Sequence, residues 1–313
     1  MNLQQLRYAA AVARHDLNVS GAAEALHTSQ PGVSKQVRAL EEELGVELFV
    51  RQGRRLTAIT AAGQEVLAGI DRILAELANL RAVGEEHANP GRGSLTLAVT
   101  HTQARYALPE VVAAFKRRYP EVHLKMLQGS PRQLAQAVID GEADVAIATE
   151  ALADHEELVS VPAYQWHHGV VVAAGHPLER ERPLTLEAIA RFPVVTYDPS
   201  FTGRSAVDRS FAQRGLAPEI ALTALDSDVI KSYAGLGLGV GIVSAMAYDA
   251  RKDRGLTLLP AAHLFPVQTT RVAFRRGARL RGFAMEFIRM FVPHLPGEAL
   301  ARLVRGAGED FEI

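Results

Sequence analysis

Residues 28–40, T-S-Q-P-G-V-S-K-Q-V-R-A-L, combine an apolar repeat with side chains that can hydrogen-bond to nucleic acid. Val33, Val37 and Leu40 recur at spacings of four and three, which predicts a helix with one buried stripe. The opposite face carries an amide, a hydroxyl and two cations, groups that bind base edges and phosphates. They belong to Gln30, Ser34, Lys35 and Arg38. The pattern predicts a helix that contacts DNA.

The flanking residues indicate how this helix is positioned. Asn18 is suited to cap a short preceding helix, and Ser29 or Gln30 to cap the next one, where Pro31 fits the first turn. Gly45 is suited to a left-handed cap at the end. Two short helices joined by a tight turn predict a helix-turn-helix, with Gln30 to Gly45 as the recognition helix. The alternative interpretation is an ordinary buried helical hairpin.

The segment Val46 to Leu56, V-E-L-F-V-R-Q-G-R-R-L, has two β-prone runs around a glycine-containing turn. It predicts a β-hairpin wing whose arginines, Arg51, Arg54 and Arg55, contact phosphates or the minor groove. A surface hairpin with solvated arginines is the alternative. Residues 1–60 carry seven Lys and Arg against six Asp and Glu, so the placement of charge, rather than its sum, must attract DNA.

A long helix without proline is predicted from Thr60 to Glu86, followed by a hinge at residues 87–93. Its apolar residues repeat at intervals of four and three, which is a heptad seam. They are Val66, Ile70, Ile73, Leu77 and Leu80, widened by Leu67 and Leu74. A dimerising linker helix is the favoured interpretation, because a dimer places two recognition helices at a fixed spacing. Packing onto its own domain is the alternative.

The composition limits the class of protein. With 313 residues and 48% apolar content, the chain is long enough for two or three domains with sizeable cores. A net charge of −1 and a pI near 6.8 argue against a protein that coats polyanions. There is no cysteine, secretion signal or apolar run of membrane-spanning length. We expect a soluble, cytoplasmic protein with no membrane partner.

From Ser94 onward, strand-like and helix-like segments alternate, which predicts parallel-rich sheets with helices on both faces. Two such α/β lobes, joined by crossings near Pro162 and Pro266, would leave a cleft between them. Ligands of such sheets bind beyond the carboxyl ends of the strands, at helix N-termini.

Threonines follow three predicted strand ends, in Thr100-His101-Thr102-Gln103, at Thr149 and in Phe201-Thr202-Gly203. Hydroxyl, amide and helix-terminal N–H groups together suit a small anion or a carboxylate-bearing metabolite. Each threonine taken singly is typical of a cap or turn, so the prediction depends on their convergence.

Other features point to no catalytic, metal or cofactor site. Trp166 is the single tryptophan and is interpreted either as a packing anchor or as a cleft wall. His167 and His168 have no partner at ligand spacing. The glycines between Gly235 and Gly241 precede and enter a strand, which is the wrong context for a dinucleotide loop. We place no nucleophile–base arrangement.

The segments L-Q-Q-L-R-Y, A-A-E-A-L and T-S-Q-P-G-V-S-K-Q-V-R-A-L-E-E-E-L-G-V-E-L-F resemble LysR-type transcriptional regulators. Six further segments are similar to the CysB branch of that family. They are T-H-T-Q-A-R-Y-A-L-P, Q-G-S-P-R-Q-L-A-Q-A-V, A-D-V-A-I-A-T-E-A-L, F-T-G-R-S, D-S-D-V-I-K-S-Y and G-L-G-V-G-I-V. The resemblance implies a winged helix-turn-helix, a linker helix and a two-lobed effector domain like the periplasmic binding proteins.

The resemblance also implies boundaries: a DNA-binding domain at 1–59, a linker helix at 60–87 and an effector domain at 88–313. Lobe I would take about 88–162 and 267–313, and lobe II about 163–266. The implied DNA-reading residues are Ser29, Gln30, Pro31, Ser34, Lys35, Arg38, Arg51 and Arg54. The implied effector-binding residues are Thr100, Thr102, Gln103, Thr149, Trp166 and Thr202.

The branch regulates sulfur assimilation, activating sulfate-reduction and cysteine-synthesis genes and commonly repressing its own. The implied partners are promoter operators in double-stranded DNA, an effector, further copies in a homotetramer, and RNA polymerase. In this branch, N-acetylserine, a compound related to O-acetylserine, induces transcription, whereas sulfide or thiosulfate opposes the induction. The implied pocket has the size of sulfate or of an acetylserine. A close relative in this branch responds to adenosine phosphosulfate or regulates sulfonate use, and that is the alternative assignment.

Two other classes of protein are alternatives. A solute-binding protein is disfavoured by the helix-turn-helix, and a cytosolic enzyme is disfavoured because no catalytic arrangement is found.

Overall fold

The structure, a computed structural model, describes residues 1–53, 55–149, 151–201 and 203–304. Two of the predicted site residues, Arg54 and Thr202, lie outside the described residues. The chain divides into two compact units, Met1–Gly84 and the part from Glu85 onward. The division falls inside the long helix predicted as the linker.

The N-terminal part begins with three helices packed around one apolar core, followed by a hairpin and a long helix. These elements are α1 (Leu3–Arg14), α2 (Val19–Ala25), α3 (Gln30–Leu44), β1 (Phe49–Gln52), β2 (Arg55–Ile59) and α4 (Ala61–Ala88). The predicted stripe of α3 is buried in that core together with Leu6 and Val12 of α1 and Ala22 of α2. Each valine or leucine side chain of this core stabilises the fold by about 1.5–3 kcal/mol when it is fully buried.

The predicted caps of the helix-turn-helix are confirmed. The Asn18 side chain accepts hydrogen bonds from the amides of Ser20 and Gly21, and Ser29 accepts one from Gly32. Gly45 ends α3 in the left-handed conformation, with φ of 70°. Local sequence therefore sets both ends of the recognition helix, because each cap satisfies backbone groups that the helix leaves unpaired.

The two halves of α4 have different surroundings. Leu67 and Ile70, near its beginning, are buried in the core of the helix-turn-helix. Further along the same seam, Ile73 is 44% exposed and Leu80 is 62% exposed. The alternative of packing onto its own domain is thus correct for the first half of the helix, whereas the second half presents its apolar side chains outward.

The second unit contains two five-stranded sheets and their helices. Its elements are β3 (Gly93–Val99), α5 (Leu108–Arg118), β4 (Val122–Gln128), α6 (Pro131–Ile139), β5 (Val145–Thr149), β6 (Leu158–Trp166), β7 (His168–Ala173), α7 (Leu186–Ile189), β8 (Val194–Tyr197), α8 (Arg204–Gln213), β9 (Ile220–Ala224), α9 (Ser227–Gly235), β10 (Val240–Ser244), β11 (Leu256–Pro260), β12 (Gln268–Arg275), α10 (Gly282–Phe291) and α11 (Gly297–Val304).

Each sheet is the base of one lobe, and both have the same plan. The first lobe has the strand order β4-β3-β5-β12-β6, and the second β11-β7-β10-β8-β9. In each, three neighbouring strands are parallel, a fourth strand pairs antiparallel with the last of them, and a fifth strand pairs antiparallel with the fourth. The predicted α/β class with two lobes is confirmed, and parallel strands bring several carboxyl ends to one edge of each sheet.

Three details differ from the sequence-based expectation. The first crossing does not lie at Pro162, because β6 continues through that proline to Trp166 and the chain crosses at His167. Pro162 is tolerated there because β6 is an edge strand and its register shifts beside this position. The helix expected from Gln103 begins with a π-helical turn, Gln103–Ala107. The strands β6 and β11 and the helix α11 were not predicted.

Within the part of the chain that the structure describes, no helix is long and apolar enough to cross a membrane.

Candidate functional sites: a DNA-reading surface and an effector cleft

The exposed face of α3 borders a groove against the hairpin, with about 1170 Å³ of empty space, part of it open solvent. Six of the predicted DNA-reading residues line it: Gln30, Pro31, Ser34, Lys35, Arg38 and Arg51. Ser29 lies beside it, with its hydroxyl engaged in the helix cap. The Gln30 amide donates to the Ser34 hydroxyl over 3.2 Å, and both remain accessible. Neutral hydrogen-bonding groups at the start of α3, with cations one and two turns later, match the needs of base reading and phosphate binding.

Arg51 has a partner that its position in the sequence does not reveal. Its guanidinium lies 2.5 Å from the Glu41 carboxylate, which is buried. The second oxygen of Glu41 accepts hydrogen bonds from the amides of Leu48 and Phe49. Glu41 therefore ties the end of α3 to the hairpin, and Arg51 is held in place by this pair while one edge of it still borders the groove. The local sequence places Glu41 among four acidic residues and gives no sign that it alone is buried.

A cleft lies between the two lobes of the second unit, with about 370 Å³ of empty space, part of it open solvent. Its lining residues are Thr100, His101, Thr102, Gln103, Thr149, Trp166, Tyr197, Phe201, Leu225 and Ser244. The structure thus brings together all five described members of the predicted effector set. None of these described lining residues is Lys, Arg, Asp or Glu, so the cleft offers neutral dipoles to a ligand.

Several of the predicted residues are fixed by contacts among themselves. The Trp166 indole N–H donates to the Thr149 hydroxyl over 3.3 Å, and both side chains are buried. The Gln103 amide donates to Thr270 over 3.0 Å and accepts from the Tyr164 hydroxyl. Trp166 is therefore a cleft wall, and Gln103 is preorganised by hydrogen bonds that hold its side chain in one orientation.

Tyr197, Leu225 and Ser244 were missed in the sequence, although each lies at or just beyond the carboxyl end of a strand of the second lobe. The Tyr197 hydroxyl lies 2.5 Å from that of Ser227 and accepts from the Ser244 amide over 3.1 Å. Burial raises the pKa of Tyr197, outweighing hydrogen bonds to Ser227, Ser244 and Thr102 that lower it.

An inter-lobe network of charges borders the cleft. The Tyr106 hydroxyl, in the first lobe, donates to Asp228 of α9 over 2.5 Å. The Lys231 ammonium bonds Tyr106 at 3.1 Å and Asp253 at 2.9 Å, and Arg105 lies 3.5 Å from Asp228. Burial, followed by the bond to Asp228, raises the pKa of Tyr106 to about 12. The network holds the lobes together through residues 106, 228 and 231, next to the cleft.

The carboxylate of Asp228 also lies near His101 and Asp226, with potential ligand atoms within 4.8 Å of one another. Arg105 and Lys231 already neutralise Asp228, so the arrangement is that of an ion-pair network.

Comparison with known proteins agrees with both parts of the fold. Residues 3–64 match the family "Bacterial regulatory helix-turn-helix protein, lysR family", and residues 88–296 match "LysR substrate binding domain". The regulator CysB of Burkholderia cenocepacia is 49% identical over the whole of both chains. The regulator SsuR of the same organism is 50% identical over 98% of this chain and all of its own.

A solved structure agrees as well. The cofactor-binding domain of the Cbl transcriptional regulator is 43% identical, covers 69% of this chain and 95% of its own, and superposes with a TM-score of 0.66. The helix-turn-helix, the two-lobed domain and these likenesses over nearly the whole length lead to one conclusion. The chain belongs to the LysR family of DNA-binding transcriptional regulators, is similar to CysB, Cbl and SsuR, and is not an enzyme.

Proposed function

We propose that this regulator controls genes of sulfur assimilation and cysteine synthesis, and that a small anionic or acetylserine-type effector binds between its two lobes. The observation that carries the proposal is the neutral cleft, in which Thr100, Thr102, Gln103, Thr149 and Trp166 meet. Hydroxyl and amide groups hydrogen-bond an oxyanion or carboxylate without a full counter-charge, which favours reversible binding of a small metabolite.

The mechanism we propose is a population shift. The effector binds groups from both lobes, so it stabilises the closed arrangement, and the change alters the geometry of the bound DNA. The exposed second half of α4 supports pairing with a second copy, because Ile73 and Leu80 lie on the heptad seam. A tetramer that contacts RNA polymerase belongs to the same proposal. We also propose that the DNA-binding domain ends at residue 59 and the linker helix at residue 87.

Replacing Gln30 tests the DNA-reading surface. We expect Gln30→Ala to weaken operator binding by at least about fivefold, because a bidentate base contact is worth 1–3 kcal/mol. The dependence on salt should not change, since glutamine releases no counterion, whereas Lys35→Ala should lower the salt slope by about 1. Gel-shift titrations at several salt concentrations measure both quantities.

The matched control is Gln36→Ala, on the same helix but outside the groove. Operator affinity of Gln30→Ala equal to that of this control would show that the side chain reads no base. Effector binding should be the same in all three variants.

Replacing Thr149 tests the cleft. The Thr149→Ala variant removes the hydroxyl that faces the effector site and accepts from Trp166. We expect effector affinity to fall about tenfold, since one lost hydrogen bond costs about 0.5–1.5 kcal/mol and leaves a buried donor unpaired. Operator affinity without effector should be unchanged. Calorimetric titration measures the loss, and Thr149→Ser, which keeps the hydroxyl, should retain most of the affinity. Normal binding by the alanine variant would remove Thr149 from the site.

A second candidate is a regulator of sulfonate or sulfate-starvation genes that answers to adenosine phosphosulfate. It is favoured by the similarity of the chain to SsuR, 50% identity, which is as high as its similarity to CysB, 49%. Trp166 is the single tryptophan, so its fluorescence reports on the cleft alone. A saturable response to N-acetylserine supports the cysteine regulon, and a selective response to adenosine phosphosulfate supports the second candidate. The absence of any response to either compound or to O-acetylserine, sulfate and thiosulfate, verified by calorimetry, would contradict both.

A further inference from the structure

Arg281 joins the end of α4 to the start of α10 in the first lobe. Its guanidinium donates to the carboxylates of Glu85 and Glu86 over 3.1 and 3.3 Å. It also donates to the backbone carbonyl oxygens of Glu85 and Asn89 over 3.3 and 3.1 Å. Both glutamates lie in the last turn of α4, and the second unit of the chain begins at Glu85. We call Arg281 with these three partners the helix clamp.

The helix clamp places a favourable charge at the ends of two helices. The last carbonyl groups of a helix carry a partial negative charge, and Arg281 brings a cation to them at the end of α4. In the other direction, Glu86 accepts a hydrogen bond over 3.3 Å from the amide of Gly282, the first residue of α10. A carboxylate is stabilising at a helix N-terminus. Each helix therefore contributes the charge that the end of the other one favours.

The clamp is enclosed and held in one geometry. The Arg281 side chain is only 11% exposed, and its guanidinium carbon lies 4.6 Å from the ring centre of Phe283, which belongs to the core of the first lobe. Gly93, the first residue of β3, has φ of +140°, and a Cβ there would overlap Nη1 of Arg281. The guanidinium therefore packs directly against the backbone at the start of β3. Several acceptors around one planar fork are a site that lysine would not fill equally well.

The clamp spans the segment predicted as the hinge, residues 87–93. His87 and Ala88 belong to α4, while Asn89 and Gly93 both lie against Arg281. If the first lobe moved away from the last turn of α4, the largely buried guanidinium would lose its acceptors. An enclosed donor without a partner is costly, more so when it is charged. The last turn of α4 should therefore move together with the first lobe.

The strand β3 connects the clamp with the effector cleft. Its first residue, Gly93, lies against Arg281, and Thr100 and Thr102, which follow its other end, line the cleft. The strand pairs with β4 on one side and with β5 on the other, so it is held within the sheet along its length. A displacement at the cleft end of β3 therefore also displaces the end at which the clamp lies.

We propose that the helix clamp passes the effector signal from the first lobe to α4, with Arg281 as a positioning residue that contacts neither ligand. This inference rests on the proposed function, in which an effector in the cleft shifts the arrangement of the lobes. It assigns the coupling between the effector and DNA to the pairing of Arg281 with Glu85, Glu86 and Asn89, which ties α4 to the lobe across the connecting segment.

The decisive variant is Arg281→Met in the full chain, titrated calorimetrically with N-acetylserine, with and without saturating operator DNA. By linkage, DNA changes the affinity for the effector by the same factor as the effector changes the affinity for DNA. In the wild-type protein we expect the two dissociation constants to differ by about fivefold or more. In Arg281→Met the ratio should fall to within about twofold of one, because methionine keeps the contact with Phe283 but has no donor for α4.

Binding of each ligand by itself should survive this change. Arg281 is not among the residues that line the cleft or the DNA-reading groove. The dissociation constant of N-acetylserine without DNA, and that of operator DNA without effector, should therefore stay within about twofold of the wild-type values. A loss of coupling with both affinities retained is a result that a purely structural role of Arg281 would not produce.

Glu86→Ala tests the clamp from the side of α4. It removes one carboxylate and leaves the bonds of Arg281 to the carbonyl oxygens of Glu85 and Asn89 in place. The ratio should fall in part, and the change should add nothing to Arg281→Met, because both variants break the same pair. The matched control is Arg92→Met, in the same connecting segment. Arg92 is 67% exposed and pairs with Glu121 at 2.9 Å, so its removal should leave the wild-type ratio.

A wild-type ratio in Arg281→Met would overturn the inference and leave the proposed function intact. Weaker binding of N-acetylserine by this variant in the absence of DNA would overturn it too, because Arg281 would then support the cleft itself. If the melting curve shows that Arg281→Met does not fold, an unchanged ratio in Glu86→Ala overturns the inference in the same way. Wild-type protein with equal affinity for N-acetylserine in the presence and absence of DNA would instead contradict the proposed function, and the inference with it.

Discussion

The substitution Gly63→Ala is expected to destabilise the N-terminal unit by at least about 2 kcal/mol, although alanine is the better helix former. Gly63 lies in the first turn of α4, and a Cβ built there would be 2.1 Å from the carbonyl oxygen of Leu48. That oxygen also accepts the Thr60 amide, so it cannot turn away without breaking the junction between hairpin and helix. Such an overlap with backbone forces α4 away from the core.

The measurement is calorimetry of the full chain, with hydrogen exchange locating the loss. A unit of this size loses about 4–8 °C in melting temperature per kcal/mol, so a drop of roughly 10 °C is expected. Amides around Leu48 should exchange faster, and operator affinity should fall because the hairpin is displaced. Glycine 69 of the same helix supplies the control, since a Cβ there meets only Arg72 at 3.8 Å. Equal melting temperatures for Gly63→Ala and Gly69→Ala would contradict this prediction, because the junction between hairpin and helix would then accommodate the added methyl group without loss of stability.

The second large effect is expected from Lys231→Met, which should destabilise the second unit by about 3 kcal/mol. Lys231 is only 6% exposed, and its ammonium bonds Asp253, Tyr106 and the carbonyl oxygen of Ala247. Methionine fills the space but leaves the Asp253 carboxylate, which is itself largely buried, without its cation. Removing one partner of a buried pair costs more than the pair contributes, because the remaining charge is desolvated and unpaired.

Lys252→Met is the control, since Lys252 is 74% exposed and lies 3.6 Å from Asp249 at the surface. We expect it to change stability by less than about 0.5 kcal/mol. A domain of this size shifts by about 2–4 °C per kcal/mol, so Lys231→Met should melt roughly 6–12 °C lower. Because Lys231 also bonds Tyr106 across the lobes, effector affinity should change in this variant and not in the control. Unchanged melting of Lys231→Met would mean that the network contributes nothing to stability.

The network should also give a characteristic dependence of stability on pH. Burial alone would raise the pKa of Asp228, but hydrogen bonds from Tyr106 and Lys231 outweigh it and the pKa is lowered. Burial alone would lower the pKa of Lys231, but the bond to Asp253 leads the contributions that raise it. The carboxylate contribution is therefore lost as pH falls below 3.8, and the ammonium contribution is lost as pH rises beyond 10.5. The pKa of Tyr106 is also raised, from 10.0, so its contribution declines as pH rises beyond that value. The stabilisation by this network should therefore be constant between pH 3.8 and 10.0.

The sequence by itself determined the elements whose signals are local. The recognition helix is specified by Ser29, by the stripe from Val33 to Leu40 and by Gly45, because capping and periodic burial act within a few residues. The alternation of strands and helices determined the two-lobed class in the same way. The threonine set was also predictable, since parallel strands align their carboxyl ends at one edge and Thr100 and Thr149 follow such strands.

Only the tertiary structure decided the partners of the polar residues. Nothing in the sequence distinguishes Glu41 from its acidic neighbours, and it becomes buried and paired only because the hairpin packs onto it. Lys231 likewise resembles any other lysine on a helix, and its partners Tyr106 and Asp253 are brought to it by the fold. His168 gains its enclosure from Trp166 and from α8, which begins 36 residues later. Caps and periodicities are short-range properties that a sequence records directly. Burial and pairing of a charge depend on residues far apart in the chain, so they exist only once the lobes have folded together.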